Sequence, residues 1–99
     1  MKLRHSAALA LVGWYLMLPP DQNPALPATR DITAPISEWV RVGSFDSAVA
    51  CEAEQQKRVQ VYIHLGLTTP EAASTYRDRT LDYENAQCIA SDDPRLKGN

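Results

Sequence analysis

Ala7 to Leu18 reads AALALVGWYLML, twelve consecutive residues with no charge and no strongly polar group. Ahead of it, Met1 to Ser6 carries the amino terminus with Lys2, Arg4 and His5; behind it stand Pro19 and Pro20, which cannot continue a helix interior. A positive start followed by a short apolar run is the pattern of a secretory signal. Crossing the hydrocarbon core takes about 20 apolar residues, with a lower limit near 17, so this run is too short for an ordinary transmembrane helix. Residues 1–20 therefore read as a signal peptide or a short amino-terminal anchor helix. No A-x-A follows the run, and the nearest cleavage sites end at Ala25 or Ala28. Retention as an anchor stays open for that reason, with Trp14 and Tyr15 suited to the membrane interface. A buried helix of a cytosolic protein is the third reading. No cysteine directly follows the run and no twin arginine precedes it, which argues against a lipid anchor and the twin-arginine route.

Outward from the run, five of the seven prolines fall between Pro19 and Pro35. Such a stretch prefers extended, poorly packed backbone, so residues 21–35 read as a spacer. The alternative, a proline-rich ligand, has only Pro24-Ala-Leu-Pro27 in its favour. This leaves residues 36–97 as the folding unit. A domain of that size buries only about 60% of its unfolded surface and is marginal without a staple. From Asp21 onward, eight Lys and Arg face twelve Asp and Glu, a net charge near −4. An acidic domain without a basic stripe is a poor partner for nucleic acid or an anionic membrane, so membrane contact is expected only through the amino-terminal segment.

Within the unit, Trp39, Val40 and Val42 favour a short strand over Ile36 to Phe45. Ser44 or Asp46 is a candidate helix cap, after which Phe45, Ala48, Cys51, Gln55, Val59 and Tyr62 recur at helical steps. Glu54 and Arg58 form a favourable i,i+4 pair, and Gly66 suits the helix end. Val59, Val61, Ile63 and Leu65 also alternate as a half-buried strand would; the helix is preferred because nothing breaks the chain between Arg58 and Val59. Thr69-Pro70-Glu71 opens a second helix through Ala72, Ala73, Tyr76, Thr80 and Tyr83. Ala86 to Ala90 fits a short strand, Asp92-Asp93-Pro94 is a turn, and Leu96 to Asn99 reads as a frayed tail. The expected fold is thus small α+β: a short strand, two helices and a short C-terminal strand.

Cys51 and Cys88 are the only cysteines. In an exported chain such a pair is most simply a structural disulfide. A redox pair usually appears as C-x-x-C, and two cysteines with His64 match no common zinc site, so no metal or cofactor is expected. The chain has no glycine-rich phosphate loop, no G-x-S-x-G and no H-E-x-x-H. His64 is the natural general base but has no partner nearby in sequence. Asp78, Asp82 and Glu84 read as a solvated acidic face. Trp39 reads as a core residue or, equally, an interface anchor.

Three blocks carry a resemblance: GWYLMLPP at Gly13 to Pro20, SEWVRVGSFDSAVACE at Ser37 to Glu52, and CIASDDPRLK at Cys88 to Lys97. They resemble a group of short, uncharacterised bacterial exported proteins with a W-x4-S-F/Y-D-x-A-x2-C block and a terminal C-I/V-A-S-D-D-P-R-L-K. The resemblance implies export and supports pairing Cys51 with Cys88; it implies no activity.

Two functions are open on these grounds. The first is a non-enzymatic periplasmic or envelope-associated module that binds or supports an envelope protein. Its expected interaction surface lies at Trp39, Asp92, Asp93 and Arg95. The second is a small thiol oxidoreductase or hydrolase, which requires an exposed disulfide or a pocket holding His64.

Overall fold

The computed structural model describes residues 12–21 and 30–97. At its centre is strand β1, Trp14–Leu18. β2 (Val40–Phe45) and β3 (Gln87–Ala90) flank it, both antiparallel, in the order β2-β1-β3. Trp14 stands opposite Phe45 on one side and Ala90 on the other. Leu16 pairs with Gly43 and Met17 with Arg41, so Val42 is the extra residue of a bulge. At Gly43 a Cβ would come within 2.9 Å of the Phe45 ring, so the ring folds over a position that only glycine leaves open.

The end of the apolar run lies in the sheet. Met1 to Leu11 lie outside the described residues, but Trp14–Leu18 is the middle strand of the sheet instead of part of a signal or anchor helix. The cause is burial on two faces. Leu16 and Leu18 pack with Trp14 against Cys51 and Ala86, while Met17 and Tyr15 pack against Ile36, Trp39 and Ile89. A strand covered on both faces has no polar positions and reads as a continuous hydrophobic run. Gly13 extends the β1–β3 pairing, donating to Ser91 Oγ at 3.0 Å and accepting from the Ser91 N–H at 2.8 Å. Pro19, fully buried, then closes the strand because it lacks a ladder donor.

The segment expected as a spacer is also partly folded. Residues 22–29 lie outside the described residues, but Asp21 and Arg30 on either side of them form an antiparallel bridge. The Asp31 N–H donates to the Pro20 carbonyl at 2.9 Å, and the Trp39 indole donates to the Ala34 carbonyl at 2.9 Å. A 3-10 turn at Ile36–Glu38 then lays Ile36 on the second face of the sheet.

Two helices follow β2. α1 runs over Ala48–Thr68 and α2 over Ala73–Glu84. The cap of α1 is Ser47, whose hydroxyl accepts from the Ala50 N–H at 3.1 Å, and not Ser44 or Asp46. Val59 to Leu65 is helical throughout, as continuity from Arg58 requires. Gly66 does not end the helix: two further residues follow before Thr69-Pro70, where proline disfavours helical backbone in the residue ahead of it. Pro70–Ala72 forms a 3-10 turn into α2. The two helices meet through stacked rings, with Tyr62 lying 6.1 Å from Tyr76 and 5.8 Å from Tyr83. Gln55 ties the base of the hairpin, its amide donating to the carbonyls of Tyr83 and Ala86, both at 2.9 Å. The Tyr83 carbonyl, in the last turn of α2, also accepts from the Ala86 N–H at 3.3 Å.

The observed class is the expected one: a small α+β fold with two helices, a short C-terminal strand and one disulfide. The described residues extend 59 × 31 × 13 Å, and the hairpin meets all three strands of the sheet through α1.

Candidate functional site

The first candidate is the cysteine pair. Cys51 sits in the first turn of α1, facing the sheet, and Cys88 lies opposite Leu16 on β3. The sulfurs are bonded, with the Cα atoms 6.1 Å apart. Cys51 is fully buried and Cys88 half-buried. Thiol–disulfide exchange requires a thiolate to reach one of the sulfurs, and the core covers the Cys51 side of this bond.

The expected surface around Trp39, Asp92, Asp93 and Arg95 comes out differently. Trp39 is 7% exposed and belongs to the core below the sheet, so it is not a surface anchor. Its ring fills the space between the Ile36–Glu38 turn and the 3-10 turn Pro94–Lys97, whose Leu96 packs on the same cluster. Leu96 is therefore not part of a frayed tail; of the expected tail, Gly98 and Asn99 alone fall outside the described residues. Asp93 accepts from the Arg95 N–H at 2.9 Å and from the guanidinium at 2.8 Å. The Arg95 side chain and backbone hold the Asp93 carboxyl below its ordinary value of 3.8. These two charges satisfy each other within the turn, leaving Asp92 exposed beside them.

The acidic face on α2 is likewise divided. Asp82 is buried, at 6% exposure, and not solvated. Arg30 grips it with Nε at 2.9 Å and Nη2 at 3.3 Å, and donates from Nη1 to the Pro19 carbonyl at 2.8 Å. This ion pair joins the chain after β1 to the second helix. Nothing local in the sequence marks it, since 52 positions separate the partners. Asp78 and Arg79 line a polar concavity of about 450 Å³ beside it, together with Asp21, Ser74 and Thr75. Among the described residues, no group of three His, Cys, Asp or Glu side chains is placed to hold a metal ion.

His64 is exposed on α1 and lines neither the groove at Ile63 and Leu67, nor the hollow at Arg58 and Tyr83, nor the concavity at Asp78 and Asp82. Among the described residues it forms no ion pair with an acidic side chain. Beside Trp39, Val40 is exposed, as is Ile32, and further apolar exposure is found on the hairpin. Tyr62, Ile63, Gly66 and Leu67 of α1 and Ala73, Arg77 and Thr80 of α2 line a groove of about 280 Å³. On the other face of the hairpin, Arg58 bonds Glu54 at 2.8 Å and the Tyr83 hydroxyl at 3.1 Å, with its guanidinium 5.3 Å from the Tyr83 ring. The hydrogen bond from Arg58 holds the Glu54 carboxyl below its usual range. The seven-residue spacing of Tyr76 and Tyr83 is the signal in the sequence for this aromatic seam.

Fold and surface together define a small disulfide-bridged α+β module with a helical hairpin that meets its sheet through α1. No protein-family model, curated protein or solved structure matches the chain. No helix among the described residues is long and apolar enough to cross a membrane.

Proposed function

We propose that the chain is a non-enzymatic binding or structural module of the bacterial cell envelope, exported to the periplasm or held at the inner membrane facing it. The observation that carries this reading is the Cys51–Cys88 bridge closed inside the core. A disulfide that fixes a core persists in oxidising compartments and is rare in the cytosol. The resemblance of Ser37 to Glu52 and Cys88 to Lys97 to short exported proteins supports the same address. The binding surface in this reading is the hairpin, where Val61, Ile63, Leu67 and Leu81 remain exposed. The position of β1 adds a condition. A cut after Ala25 or Ala28 would remove the middle strand, so Trp14 to Leu18 stay with the exported protein.

The test is fractionation of a bacterium expressing the full chain, with thiols alkylated at lysis, followed by intact-mass analysis and crosslinking. The expected product is in the periplasmic or membrane fraction, has no alkylated cysteine, retains residues 14–18 and crosslinks to an envelope protein. A cytosolic product with both cysteines alkylated overturns the proposal.

A further inference from the structure

The side of α1 turned away from the sheet carries a pattern that the fold does not use, its last two members reaching the rim of the groove shared with α2. Val49, Ala53, Gln56, Gln60, Ile63 and Leu67 recur at alternating steps of four and three. That is the d and a spacing of a heptad repeat, sustained over about 28 Å of helix. All six are exposed, Val49 at 76% and Leu67 at 78%. The opposite side of the helix makes the fold's own contacts, through Cys51, Gln55 and Tyr62. Three of the seven large hydrophobic residues left exposed among the described residues, Val49, Ile63 and Leu67, fall on this one stripe. A solvated helix face would carry charge, and the stripe has none. Charges stand at its flanks instead: Glu52 at a g position and Lys57 at the following e position, both exposed.

We propose that this stripe is a homodimer seam, in which α1 pairs with α1 of a second copy, parallel and in register, as a short two-stranded coiled coil. Two features choose this occupant. In register, the stripe is complementary to itself: Gln56 and Gln60 each meet their own copies in the two middle layers, and apolar residues meet apolar residues toward both ends. The flanking charges then select direction. Glu52 precedes Lys57 by five residues, the spacing at which a g carboxylate reaches the e ammonium of a parallel partner, so the dimer gains two interchain ion pairs. Antiparallel pairing also matches the apolar layers, with Val49 opposite Leu67, but it lays Lys57 against its own copy. Polar residues at two core layers fix register at a cost in stability, and three heptads make a small interface. The dimer is accordingly weak, with a Kd between about 1 μM and 1 mM. The inference goes beyond the envelope reading and does not rest on it, because purified protein tests it whatever the compartment.

Sedimentation of the oxidised full chain is expected to show twice the monomer mass as concentration rises to about 1 mM. Leu67→Glu, at an exposed site, should leave helix content unchanged by circular dichroism and hold the chain monomeric over the same range. Glu52→Lys should raise the Kd at least about tenfold, and adding Lys57→Glu should restore it, since the ion pair is re-formed with its signs exchanged. Direction is read from Val49→Cys and Leu67→Cys chains, mixed and mildly oxidised: the parallel dimer links 49 to 49 and 67 to 67. A wild-type chain that stays monomeric at about 1 mM overturns the proposal. So does a mixture that links 49 to 67, or a charge exchange that fails to restore pairing.

Discussion

Deleting residues 1–25, so that the chain begins at Leu26, should abolish the fold. The deletion removes β1, and with it Leu16, Met17 and Leu18, which are 0%, 5% and 5% exposed. Full burial of such a side chain is worth roughly 1.5–3 kcal/mol, so the three together contribute about 5–9 kcal/mol, less about a third if the unfolded chain is itself compact. A domain of this size has a total stability of roughly 4–12 kcal/mol. The loss is therefore comparable to everything the fold has. The arithmetic also leaves out the backbone: β2 and β3 do not touch each other in the sheet, and both make their ladders with β1.

The assay is urea unfolding followed by near-ultraviolet circular dichroism, with the disulfide intact in both proteins. The control is a chain that begins at Val12, which keeps β1 and should unfold at the same urea concentration as the full chain. The chain from Leu26 should show no cooperative transition and no fixed aromatic signal, although the hairpin closed by the bridge retains helix in the far ultraviolet. If it unfolds cooperatively at the midpoint of the full chain, β1 is not part of the stable fold and the leader reading of the whole apolar run is restored.

Replacing both cysteines by alanine should cost about 4 kcal/mol, the chain-entropy value for a loop closed across 37 positions. A loss below about 1 kcal/mol in urea unfolding would show that the bridge does not restrain the unfolded chain. Arg30→Met should destabilise by about 3–5 kcal/mol, because it leaves the Asp82 carboxylate buried without its partner. Arg30→Met with Asp82→Leu should cost less than the two single changes added together, and a double-mutant cycle reading simple additivity would refute the pairing. Stability should also fall in acid. The carboxyls of Asp31, Glu54 and Asp93 are held below their ordinary values by hydrogen bonds from Thr33, Arg58 and Arg95 respectively. Groups depressed in this way stabilise the fold above the ordinary values of 3.8 and 4.5, and the contribution is lost as pH drops through the folded values. Urea midpoints measured from about pH 6 to about pH 2 should hold steady and then decline, with a shallower decline in Asp93→Asn.

What was legible in the sequence was local. Thr69-Pro70-Glu71 marks a boundary because a proline acts on its own neighbours; the Thr69 side chain makes no capping hydrogen bond, and the second helix begins within a turn of it. The cysteine pair was legible because the chain offers only one pairing. The features that escaped depend on distant partners. Asp82 is indistinguishable in sequence from Asp78 or Glu84, and its burial follows from Arg30 arriving across the structure. Trp39 was equally suited to core and surface until the turn bearing Leu96 closed over it. Gly66 resembled a helix end, but the helix runs on through it to Thr68, and a Cβ there would stand in ordinary contact with Tyr76, 3.6 Å from its Cβ.

The apolar run is the sharpest case, because two different demands produce the same letters. The central part of an export signal must be apolar on every side, and so must a strand covered on both faces. Composition cannot separate them; only the partners can. For β1 those partners are far along the chain, since Trp14 pairs with Phe45 and with Ala90. Between β2 and β3 the chain runs through both helices, so the β1–β3 ladder depends on the hairpin folding back on itself. The bridge works at the same place from the other side. By joining the start of α1 to β3, it holds the base of the hairpin together and keeps β3 where β1 requires it. Strand and disulfide thus constrain one sheet by different means, one by burial in the folded state and the other by restricting the unfolded chain, and a domain this small depends on both.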